Sequence, residues 1–223
     1  MVRPAAILAW VMLATLPFSP TASGRDMNDT RLHTAAANND TAAISNLLSE
    51  KVNIDARDSE GRTALLVATH RNNVEAAKTL IEAGADVNAK DSIHDSAYLY
   101  AGARGHLDIL KMTLAHGADL KSTNRFGGTA LIPASERGHV ETVRTLIRAG
   151  VDVDHINKLG WTALLEAIIL GNGGTPHQQI VQLLVDAKAD VNLADRDGVT
   201  PLQHARNRGF SQIEQILVKA GAQ

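Results

Sequence analysis

Residues 170–177 read Leu-Gly-Asn-Gly-Gly-Thr-Pro-His. Three glycines in four positions, followed by Thr175, Pro176 and His177, are residue types that cradle a phosphate on backbone N–H groups at a helix start or present a side chain to a ligand. A phosphate-binding loop follows a strand and carries a lysine after its glycines; this stretch carries none. The nine histidines are the other candidates for chemistry. They show no His-Glu-x-x-His or comparable ligand spacing, and no Gly-x-Ser-x-Gly context supports a nucleophile. The chain has no cysteine, which removes disulfides, thiolate metal sites and redox thiols. No catalytic, cofactor or metal-binding residue is therefore assigned, and no cofactor is expected.

Composition points the same way. The 223 residues are 44% hydrophobic but only 3% aromatic, which suits thin layers of small helices better than one thick core. A formal net charge of −2 argues against a chain that coats nucleic acid or an anionic membrane. At the N-terminus, Arg3 precedes an apolar run from Ala5 to Leu16, then Pro-Phe-Ser-Pro and small residues. That order is a secretory signal peptide, expected over 1–24. The run is too short for a transmembrane helix, so no stable anchor is expected after cleavage.

The elements that would position any site come from a repeat of 33 residues. With Asp58 as the first position of a unit, the sixth is Thr30, Thr63, Ser96, Thr129, Thr162 and Thr200. Two residues later stand Leu32, Leu65, Tyr98, Leu131, Leu164 and Leu202, and three beyond those an alanine in every unit, Ala35 to Ala205. The hydroxyl predicts a helix N-cap, and leucine and alanine three apart predict one buried face. A second helix follows, with Leu47/Leu48, Leu80/Ile81, Leu146/Ile147, Leu184/Val185 and Leu217/Val218 as its apolar face. Gly84, Gly117, Gly150 and Gly221 end it, while Lys51 and Lys188 hold that position in the first and fifth units.

This series resembles ankyrin repeats. Thr-Pro-Leu-Gln-His-Ala at 200–205, Thr-Arg-Leu-His-Thr-Ala at 30–35 and Ala-Gly-Ala-Asp-Val-Asn at 83–88 carry the likeness, which runs over residues 25–223. It implies an all-α solenoid of stacked helix-turn-helix units with β-hairpin-like tips. Six units are expected, at 25–57, 58–90, 91–123, 124–156, 157–194 and 195–223, including the caps. Glu214, where inner units carry Val143 and Val181, marks the last as a cap. In this register Gly171 aligns with Gly105, Gly138 and Gly209, and His177 with His106 and His139. The five residues 172–176 then lengthen the turn between two helices, as a surface insertion or as a partner-contacting loop.

Ankyrin arrays bind proteins through their tips and first helices, on the concave face. Carried over by position, Ile93, Phe126 and Leu159 form an apolar stripe with Trp161 beside it. Arg62, Arg71, Arg104, Arg125, Arg137, Lys158, Arg196 and Arg208 stand around it, against Glu60, Asp95, Glu136 and Asp197. A protein partner with an acidic surface and an apolar contact is expected, bound by a monomer, with no nucleic acid. The chain is similar to the short exported ankyrin proteins of Proteobacteria, some of which are associated with catalase function and peroxide tolerance. The resemblance implies a periplasmic or secreted, non-enzymatic docking protein. The alternatives are a secreted effector that binds a host protein, and an enzyme or metal-binding protein using the concave face.

Overall fold

The computed structural model describes residues 23–223. Its twelve helices follow one another as pairs: α1 (Ser23–Ala37) and α2 (Thr41–Ser49), α3 (Ala64–His70) and α4 (Val74–Glu82), α5 (Ala97–Arg104) and α6 (Leu107–Ala115). The chain continues with α7 (Leu131–Glu136) and α8 (Val140–Ala149), α9 (Ala163–Ile169) and α10 (Thr175–Asp186), then α11 (Pro201–Asn207) and α12 (Ser211–Lys219). Odd-numbered helices pack on odd and even on even, giving two parallel layers with the core between them. The described residues contain no strand, so the fold is an all-α solenoid.

The repeated positions build that core. Leu32, Leu65, Tyr98, Leu131, Leu164 and Leu202 are all buried, and the alanine that follows each lets the next helix approach closely. In the second helices the first member of each apolar pair is buried, at Leu47, Leu80, Leu146, Leu184 and Leu217. The second member is buried only as Ile81; Leu48, Ile147 and Val185 are partly covered, and Val218 is exposed at the end of the stack. The expected two-residue apolar face is thus one residue wide, because successive helical residues point about 100° apart.

Caps form where the hydroxyl column predicts them, with two exceptions. Thr63, Ser96, Thr162 and Thr200 accept the N–H three residues on, and Thr200 completes a capping box with Gln203. Thr30 instead lies inside α1, which starts at Ser23. Thr129 fails because Pro133 has no N–H for the Thr129 carbonyl. Ile132 N donates to that carbonyl instead, α7 starts late, and the Thr129 hydroxyl is buried without a partner. At the helix ends, Lys51 and Lys188 adopt φ values of 58° and 70°, matching the left-handed glycines of the other units.

The tips are built by one device repeated five times. Asp58, Asp91, Asn124, Asn157 and Asp195 each accept, on Oδ1, the N–H groups two and four residues later. Each also donates its own N–H to the carbonyl four residues on. Adjacent tips are joined where Ser92 N donates to the Glu60 carbonyl and Lys158 N to the Phe126 carbonyl, at 3.1 and 2.9 Å.

Candidate functional site

The five turns aim the same residue outward from each unit: Glu60, Ile93, Phe126, Leu159 and Asp197. The three apolar members are 46%, 52% and 48% exposed and line one groove of about 460 Å³. Its floor and far wall come from the first helices, through Tyr100, Ile132, Pro133 and Leu170. The structure therefore brings Ile93, Phe126 and Leu159 together. Trp161 does not join them. It is half-buried, its backbone N–H and carbonyl are both bonded to Asn157 in the turn, and it is not among the groove's lining residues.

The basic residues separate into two groups. Most are already engaged within the array. Arg62 is paired with Asp58 at 2.8 Å and with Glu60 at 3.1 Å. Arg125 stacks over the Phe126 ring at 4.6 Å and sits 3.9 Å from Asp95. Arg104 lies over Tyr100 and reaches its hydroxyl, and Lys158 Nζ donates to the Arg125 carbonyl. Arg137 donates to the Ala103 carbonyl and stands 3.9 Å from Glu136. Arg208 donates to the carbonyls of Ile169 and Gly171 while stacking on Phe210. Arg137 and Arg208 thereby rivet one unit to the next, bonding carbonyls at the C-terminal end of the preceding unit's first helix. Arg71 and Arg196 make no such bond: Arg71 lines a polar hollow of about 540 Å³ with His33, Arg57, Arg62 and His70, and the stem of Arg196 lies across Gly160.

One groove residue departs from the pattern of the repeat. Glu166, in α9, is only 6% exposed and lines the groove beside Phe126, Leu159 and Glu136. Its column holds Val67, Tyr100, Pro133 and His204 in other units, so burial of a carboxylate there breaks the pattern. Burial, and then the nearby Glu136 carboxylate, push Glu166 up to about 7, against the hydrogen bond from Asn157 and the charge of Arg137. Asp95, half-buried, is likewise pushed up by burial and by Asp91, against Arg125. Glu166 could have been found as the one acidic residue in its column; only the neighbouring units reveal that it is buried.

The glycine-rich stretch is structural. Gly173, rather than Gly171, takes the left-handed conformation, with φ 69°, and the Phe210 ring packs on it as the His139 ring packs on Gly105. Thr175 and Pro176 form the first turn of α10, so His177 lies inside that helix rather than at its start. His177 is buried, and its Nε2 donates to the Glu136 carbonyl at 2.9 Å across the unit boundary. Asn172 caps the turn by accepting from Gly174 N. Other histidines are used in the same way: His33 and His155 donate to the carbonyls of Arg62 and Gly127, and His204 to Asp195. Among the described residues no group of three or more His, Cys, Asp or Glu is arranged to hold a metal ion.

Residues 14–91 and 98–195 match the family described as "Ankyrin repeats (3 copies)". The chain belongs to the ankyrin-repeat family. An ankyrin repeat domain of Acinetobacter baumannii AYE is 70% identical, with a TM-score of 0.85, over 86% of this chain and 98% of that one. The ankyrin repeat protein EF0377 is 42% identical, TM-score 0.82, with the same coverage. The ankyrin repeat domain of Bcl-3, described as a member of the IkappaB protein family, is 28% identical with a TM-score of 0.79 over 87% of each chain. The ankyrin repeat protein YahD of Escherichia coli (strain K12) is 53% identical over 57 residues, which span 26% of this chain and 28% of that protein. Ankyrin arrays are protein–protein interaction modules.

Proposed function

We propose that this ankyrin protein is an exported, non-enzymatic docking module that holds a partner protein in the groove under Ile93, Phe126 and Leu159. The observation that carries the reading is the placement of these three half-exposed apolar side chains, from three successive turns, along one groove. Solvent-facing turns gain nothing in stability from such residues, whereas a partner that covers them removes apolar surface from water. Arg71 and Arg196, which have no ion pair among the described residues, supply basic charge on neighbouring units for an acidic partner surface. The shallow groove surrounds no nucleophile–base pair, which favours binding over catalysis.

Export is supported by the leader-like order of residues 1–24, of which 1–22 lie outside the described residues. Likeness to exported proteobacterial ankyrin proteins extends the proposal to peroxide tolerance through a catalase. The docking reading is tested by capture from a native envelope extract with the parent chain and a Phe126→Ala, Leu159→Ala variant. The parent retains proteins that the variant loses, and added salt weakens retention; equal capture by both overturns the reading. Fractionation of cells making the protein checks its location, with release into the medium favouring the effector alternative. A deletion strain that survives hydrogen peroxide unchanged would remove the catalase link.

A further inference from the structure

The groove contains one charge that the array leaves unanswered. Of the carboxylates lining it, Asp95 stands 3.9 Å from Arg125 and Glu136 3.9 Å from Arg137. Glu166 has no ion pair; its Oε1 accepts from Asn157 Nδ2 at 2.7 Å, and its Oε2 accepts no hydrogen bond among the described residues. Asn157 is itself fixed, because its Oδ1 holds the N–H groups of Leu159 and Trp161 in the turn. The carboxylate is therefore positioned by the tip device, 6% exposed, with one acceptor oxygen facing the groove. Burying a carboxylate without a counter-charge is costly, and an apolar residue such as Val67 serves the same position elsewhere in the stack.

We propose that Glu166, backed by Glu136, is the seat for a single cationic side chain of the docked protein, a lysine or arginine whose methylene stem runs between Phe126, Leu159 and Leu170. The proposal deepens the docking reading and rests on it. An ammonium or guanidinium group there supplies the missing counter-charge and relieves the repulsion between the two glutamates, and the apolar walls suit an aliphatic stem. The site discriminates by chemistry. A neutral side chain of the same length gains the apolar contact but leaves the carboxylate uncompensated.

The seat works only when Glu166 is ionised, so occupation depends on pH. The charged groups around it are Glu136 and Arg137 at the end of α7; from α11, Arg208 is committed to the Ile169 and Gly171 carbonyls and His204 to Asp195. Arg104, from α5, is committed to Tyr100. A cation on Glu166 displaces its proton, and affinity rises as pH rises through 7.

The test uses the full chain, labelled with ¹³C at glutamate carboxyl groups, titrated with n-butylguanidinium chloride against sodium chloride of equal ionic strength. The expected result is a shift of the Glu166 resonance and of the Asn157 side-chain amide, with affinity roughly thirtyfold higher at pH 8 than at pH 5.5. Neutral n-butanol does not reproduce it. Glu166→Gln, which keeps the Asn157 bond and the fold, loses about tenfold in affinity, and Glu136→Gln loses less. An unmoved Glu166 resonance, or an equal response in Glu166→Gln, overturns the proposal. Partner capture separates the two readings. Capture lost with Phe126→Ala, Leu159→Ala but unchanged by Glu166→Gln overturns the cation seat and keeps the docking groove; capture indifferent to the apolar pair overturns the groove itself.

Discussion

Asn157 Nδ2 donates to Glu166 Oε1 at 2.7 Å, linking the fourth turn to the helix behind it. Because Glu166 is pushed up from 4.5 to about 7, the folded chain binds its proton more tightly than the unfolded chain does. The stability this contributes is full below pH 4.5 and is lost as pH rises through 7. Glu166→Gln should therefore be more stable than the parent at pH 8, by on the order of 2–3 kcal/mol, and nearly equal to it at pH 4.5. Urea midpoints at the two pH values check this; a constant difference between them contradicts the burial argument.

His70, His106 and His139 titrate in the opposite sense. Burial first, and then the charges of Arg62, Arg104 and Arg137, hold the three rings below the usual 6.5. Their contribution is full above pH 6.5 and falls as the pH drops below it, since the unfolded chain takes up protons first. In a Glu166→Gln background, which removes the opposing slope, stability should decline between pH 7 and pH 5, and His139→Gln should flatten that decline. Denaturation across that range is the measurement.

Two left-handed lysines offer a gain. Lys51 and Lys188 sit at φ 58° and 70°, where a Cβ is disfavoured by about 1–2 kcal/mol. Lys188→Gly relieves that strain but gives the unfolded chain more freedom, so the net increase is about 0.5–1 kcal/mol. Thermal melting shows it as a small rise in Tm, and a fall would mean that Lys188 makes a contact worth more than the strain.

Among the described residues two buried hydroxyls have no partner, those of Tyr98 and Thr129. Removing an unsatisfied polar atom while keeping shape should help, so Tyr98→Phe and Thr129→Val are each expected to add about 1 kcal/mol. Burial also pushes the Tyr98 hydroxyl well above its ordinary titration range. Destabilisation by either change would reveal a bridging water at that position.

Close approach between units gives a coupled pair. A Cβ at Gly105, with φ 71°, would lie 2.7 Å from the His139 ring. Gly105→Ala should cost about 1–3 kcal/mol, part of which His139→Ala restores. A double-mutant cycle that is additive within error would show that backbone strain, and not the ring, carries the whole cost.

The fold was legible because each unit repeats the same short-range chemistry in one register: Thr63, Ser96 and Thr162 announce the caps, and the leucine and alanine that follow announce the buried face. Sequence reasoning went astray where a neighbour alters the local rule. Pro133 cancels the cap at Thr129, the helix begun at Ser23 runs past Thr30, and in the lengthened turn Gly173, against the Phe210 ring, takes the left-handed conformation in place of Gly171. The apolar half of the groove could be read because its residues share one turn position. The burial of Glu166 could not, since it arises between units, and the engagement of Arg137 and Arg208 by carbonyls of the preceding unit is equally invisible along the chain.

Each turn is closed by the carboxylate or amide that opens it, and the residue two positions later lends the turn only its backbone N–H. Glutamate, isoleucine, phenylalanine, leucine and aspartate all occupy that spot without disturbing the geometry. On the proposed docking role, substitution at these positions rewrites recognition letter by letter while the scaffold that displays the letters stays the same, and a lineage can exchange one client for another without passing through an unfolded ancestor.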